Sequence, residues 1–134
     1  MARSIYLPGL GHGNLPVPAA ARRGPLLATG GIRGIDPSTA QMPERLDDQV
    51  RLAFANLKSI VEAGGGIVDD IVHVTVHAAT DEVRQVVNDN WVALFPEAEA
   101  RPARHLLRHD LPGGMLVQLE AMAFIEGAAG GSDA

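Results

Sequence analysis

Only two stretches of this chain carry the three- and four-residue spacing of an amphipathic helix. The remaining apolar segments are short, and they alternate or cluster as strands do. Across residues 45–63, Leu46, Val50, Ala53, Phe54, Leu57, Ile60 and Val61 fall on one stripe. Asp47 and Asp48 suit the positive end of that helix, and Gly64-Gly65-Gly66 ends it. The second helix is expected at about 81–95, with Thr80 as its N-cap and Pro96 closing it. Val83, Val86, Val87, Trp91 and Leu94 form its buried stripe. Strands are expected at 4–7, 25–32, 71–77, 101–109 and 115–125.

Two helices can cover only one face of a sheet. The fold class is therefore α+β, a single mixed β-sheet with both helices packed on one face. The uncovered face would carry Leu116, Met122 and Phe124, an apolar surface of the kind that meets another subunit. One domain is expected over 1–126, with 127–134 a disordered tail. Residues 8–24 are rich in Pro and Gly and read as a long loop. Gly30 and Gly31 together suggest a bulge, or a point where a ligand nears the backbone.

Two charged residues sit inside the late strands. Glu120 shares a strand face with Leu116, Gln118, Met122 and Phe124, and Arg104 shares one with Leu106 and Arg108. A carboxylate on a largely apolar face is unfavourable unless something pairs with it. These positions are accordingly the first candidates for chemistry, although either could serve only as a surface charge. Arg108 is a possible structural partner for Glu120.

Composition removes several other classes. The net charge is −5 and Lys58 is the only lysine, which argues against nucleic acid as a main partner. There is no cysteine, so thiolate nucleophiles, thiolate metal sites and disulfides are excluded, and the composition fits a cytoplasmic protein. No stretch approaches the roughly 20 apolar residues of a membrane span. The opening Met1-Ala2-Arg3-Ser4-Ile5-Tyr6 has no long apolar run, so no signal peptide is expected. His105 and His109 share a face, as do His73 and His77, but no third ligand of a suitable kind lies nearby, and no metal is expected. Arg22-Arg23 reads as a solvated pair that could also meet a second carboxylate on a larger substrate. Trp91 reads as packing.

Three motifs in order, Arg101-Pro102-Ala103-Arg104, Leu111-Pro112-Gly113-Gly114 and Val117-Gln118-Leu119-Glu120-Ala121, resemble the RidA (YjgF) family of imine/enamine deaminases. Thr29-Gly30-Gly31, Gln49, Asn56-Leu57, Asp69-Asp70-Ile71-Val72 and Asn88 add support. The resemblance implies a chorismate-mutase-like RidA fold and a homotrimer whose sheets form a central barrel, with clefts at the subunit boundaries. It implies that Arg104 grips a substrate carboxylate, that Glu120 positions or activates water, and that Gly30, Gly31 and the backbone near Leu106 line the pocket. Asn88 would support them from the second helix. No cofactor is implied, and the products would be a 2-keto acid and ammonia. The sequence departs from the family at Val17, Gly30 and Leu106, where tyrosine, serine and cysteine are usual; residues 9–23 match poorly and hold His12 and Asn14. Two alternatives follow from these departures: a non-catalytic binder of keto acids or small anions, or a specialised deaminase of the 2-aminomuconate type.

Overall fold

The structure is a computed structural model and describes residues 1–127. The expected tail therefore lies almost wholly outside the described residues. The elements are β1 (Arg3–Ile5), β2 (Ala20–Arg23), β3 (Leu26–Thr29), β4 (Ile32–Arg33), α1 (Leu46–Ala63), β5 (Ile71–Ala78), α2 (Val83–Leu94), β6 (Ala103–Arg108) and β7 (Val117–Phe124). The sheet order is β1-β2-β3-β7-β5-β6, and β4 continues along β7 beyond β3. All pairings are antiparallel except β5–β6, the parallel pair that α2 links as a crossover. The sheet is thus mixed, as expected, and both helices pack on one face.

The core lies between helices and sheet. Val50, Ala53, Leu57 and Val61 of α1 are fully buried, as are Leu27, Val74, Val76, Val117, Leu119 and Ala123 of the sheet. With few aromatics available, β-branched and leucine side chains fill this layer. Phe54 of α1 meets Trp91 of α2 edge-on with ring centroids 6.3 Å apart, which joins the two helices.

Two buried amides on α1 order the loops around the sheet. Gln49 donates to the carbonyls of Pro43 (2.9 Å) and Gly114 (3.1 Å) and accepts from the Leu116 N–H (2.8 Å). Asn56, two turns on, donates to the carbonyls of Arg33 (3.0 Å) and Ile35 (2.8 Å), holding β4 against the helix. Leucine at Asn56 would leave both carbonyls without a partner. Asn56→Leu is therefore expected to lower stability by about 2–4 kcal/mol, read from urea denaturation. An unchanged midpoint would show that β4 is held by other contacts.

Three expectations need correction. Residues 8–24 are not all loop: β2 forms within them and pairs with both β1 and β3. Arg22 is not solvated but almost completely buried. Its Nη1 donates to the Gly64 carbonyl at 2.8 Å, where the negative end of the α1 dipole favours a cation. Thr80 does not cap α2, which begins at Val83. Hydrogen bonding from its own backbone N–H, and then from the Thr80 hydroxyl, lowers the Glu82 carboxyl from its ordinary range. No helix among the described residues is long and apolar enough to cross a membrane.

Candidate functional site

Arg104 projects from the edge strand β6 toward α2. Its Nη2 donates to Asn88 Oδ1 at 2.8 Å, and its guanidinium carbon lies 5.0 Å from the centroid of the Trp91 ring. Asn88 and Trp91 are three residues apart on α2 and so share a helix face. One fixes the fork of the guanidinium by a hydrogen bond, and the other supports its plane. Burial, with a further contribution from the nearby Arg84 guanidinium, pushes Arg104 below the usual arginine range. Among the described residues no carboxylate pairs with it. Leu106, on the same face, lines an adjoining cleft of about 320 Å³ with Thr80, Asp81, Arg84 and Arg108.

Glu120 lies on β7, where Thr75 of β5 is its cross-strand partner. Its carboxylate is half exposed, and its Oε1 is 3.7 Å from His77 Nε2. The His77 ring in turn meets the His109 ring edge-on, with centroids 5.9 Å apart. Arg108 is not its partner, because that guanidinium binds Asp81 Oδ1 at 2.6 Å. Glu120, Ala28, Thr29, His73, Thr75, Ala121 and Met122 line an open recess of about 280 Å³.

The two glycines do form a bulge. Ala28 pairs with Met122, whereas Ile32 pairs with Leu119. Thr29, Gly30 and Gly31 therefore oppose only Glu120 and Ala121. The Thr29 hydroxyl repairs the interrupted ladder by accepting from the Ala121 N–H at 2.9 Å and donating to the Gly30 carbonyl at 2.8 Å. The Gly30 N–H donates to the Ala19 carbonyl at 2.9 Å. The Gly31 N–H has no partner among the described residues, and a Cβ there would collide with the Gln118 amide. A bare, unpaired N–H thus sits beside the Glu120 strand. Val17 is exposed in the N-terminal segment and lines neither recess nor cleft, whereas His12 of that segment lies against Gly30.

The predicted residues form two groups. Arg104, Asn88 and Leu106 gather on the helix side of β6. Glu120, Gly30 and Gly31 gather at the bulge. Val74, which faces the helices, pairs with Arg104, whereas Glu120 pairs with Thr75 on the opposite face. A single protomer therefore keeps the guanidinium and the carboxylate on opposite faces of its own sheet. Arg84 went unmarked in the sequence, and His77 and Thr29 were noted there without these contacts. Arg84 was legible through its four-residue spacing from Asn88, whereas His77 and Thr29 needed the strand register. No group of three or more His, Asp or Glu residues is gathered as a metal site among the described residues.

The family model described as endoribonuclease L-PSP matches residues 17–125. The 2-iminobutanoate/2-iminopropanoate deaminase of Salmonella typhimurium is 35% identical over 102 residues, which is 75% of this chain and 80% of that protein. The YjgF gene product of Escherichia coli superposes with a TM-score of 0.83 at 29% identity, covering 92% of this chain and 99% of the other. TdcF of Escherichia coli, solved with bound serine, gives a TM-score of 0.84 at 27% identity over 92% of this chain and 99% of that one. These matches mean that the chain belongs to the endoribonuclease L-PSP family, the RidA/YjgF group.

Proposed function

We propose that this protein hydrolyses small carboxylate-bearing imines and enamines to 2-keto acids and ammonia, at a site shared between copies of the chain. The observation that carries the reading is Arg104: a half-buried guanidinium held by Asn88 and Trp91 with no acidic partner among the described residues. Such a cation is set for an anion from outside, and its planar fork matches the two oxygens of a carboxylate. The deaminase names of the relatives support the same reaction class.

The chemistry needs few groups. An enamine tautomerises to the imine, and water adds to its C2 carbon. Glu120 accepts a proton from that water and returns it to nitrogen. In the resulting carbinolamine a second proton passes from the new hydroxyl through Glu120 to the amine as the C–N bond breaks, releasing ammonia and leaving the 2-keto acid. A carboxylate beside a recess can position and deprotonate water in this way. No cofactor takes part in this scheme.

Glu120 and Arg104 can serve one substrate only if they come from different protomers. The helix-free sheet face gives a reason to associate, because Leu26, Met122 and Phe124 are each roughly half exposed on it. Leu26 and Phe124 are direct cross-strand partners, so the apolar surface is continuous. A closed ring of three copies packed through these faces, in the cytoplasm, is the assembly proposed. An RNA substrate is disfavoured by the net charge of −5.

The test is ammonia release from 2-iminobutanoate generated in place by an amino-acid oxidase or dehydratase. Release well above the uncatalysed rate is expected. Binding of 2-oxobutanoate with no acceleration would replace the enzyme reading with that of a keto-acid binder.

A further inference from the structure

Arg104 is not the only cation on the helix side of β6: the cleft that adjoins it through Leu106 is lined by Arg84. Arg84 lies four residues before Asn88 on α2, so it occupies the same helix face one turn toward the N-terminus. It lines the cleft with Leu106 and Arg108, next to the strand that carries Arg104. Arg104 bonds Asn88, one turn from Arg84 on that face, and the Arg84 charge contributes to lowering Arg104.

The acids of this region are engaged elsewhere. Asp81 is bound by Arg108, whose Nε also donates to the Ala79 carbonyl at 2.8 Å. Glu82 does not line the cleft. Arg84 has no acidic partner among the described residues, and neither does Arg104. Two like charges held close without a counter-ion repel each other. An anion lying between them removes that repulsion and gains two charge-assisted contacts. The cleft of about 320 Å³ leaves room for more than the side chain of a three- or four-carbon acid.

We infer that the preferred ligand is a diacid, a 2-imino or 2-keto acid with a second carboxylate on its side chain, with Arg104 holding the first carboxylate and Arg84 the second. The inference rests on the reading of Arg104 as the carboxylate anchor. Arg108 also lines the cleft but is committed to Asp81, so Arg84 supplies the selective contact.

Calorimetric titration of the full-length assembled protein tests this without requiring turnover. The probes are 2-oxobutanoate and 2-oxopentanoate as monoacids, with 2-oxoglutarate and 2-oxoadipate as diacids. The tighter diacid is expected to bind at least about tenfold more strongly than either monoacid. Arg84→Gln is expected to bring that ratio to within about twofold of one, and Arg104→Gln to weaken both classes. Equal affinities in the wild type, a ratio that survives Arg84→Gln, or no binding of either class would each overturn the inference. The outcomes separate from those of the hydrolysis reading. Diacid-selective binding without ammonia release would remove the deaminase and keep the diacid site; ammonia release without diacid selectivity would do the reverse.

Discussion

Glu120→Gln is expected to lower imine turnover by about 10²–10⁴-fold while changing KM little. Glutamine keeps the size and one acceptor oxygen of glutamate but cannot take a proton from water at neutral pH. Glu120 is half exposed on β7, next to the recess at the bulge, and its Oε1 lies 3.7 Å from His77 Nε2. Nothing in the core depends on it, so the variant is expected to keep its thermal midpoint and its assembly. A loss of turnover matched by a loss of assembly would assign Glu120 a structural role instead. A variant as active as the wild type would leave the water without its proposed base.

Arg104→Gln is expected to cost at least about a hundredfold in kcat/KM. Here the loss should fall on binding as well as turnover, because the carboxylate anchor serves both the ground state and the transition state. Arg104→Lys separates charge from shape. An ammonium keeps the positive charge, but it lacks the planar fork and cannot lie flat over Trp91 while bonding Asn88. It is expected to recover only a small part of the lost activity. Full recovery with lysine would mean that the site asks only for positive charge.

Much of this arrangement was legible residue by residue. Helix α1 stood out because Leu46, Val50, Leu57 and Val61 repeat at helical spacing, and it ends at the glycines as expected. The bulge was foreseen from Gly30-Gly31. The faces of Arg104 and Glu120 within their own strands also read correctly, since side-chain parity along a strand is local. What could not be read locally was the relation between the two strands. Whether Arg104 and Glu120 share a face depends on β5, which pairs with β6 on one edge and β7 on the other, and that register is tertiary. Strand β2 was missed because Ala20-Ala21-Arg22-Arg23 carries no β-branched or aromatic residue. Its pairing is supported instead by Ala20 in the core and by Arg22 capping α1 from a distance, neither of which leaves a mark in a local window.

The central claim, that Arg104 of one copy and Glu120 of another complete each site, is tested most directly by mixing two inactive variants. Arg104→Gln and Glu120→Gln protomers are unfolded together in equal amounts, refolded and assayed for ammonia release. In a ring with head-to-tail contacts, about a quarter of the interfaces then carry both native groups, and activity is expected to return to about a quarter of the wild-type value. Activity that stays at the level of the separate variants, in an assembly shown by mass to contain both kinds of chain, would contradict the shared site.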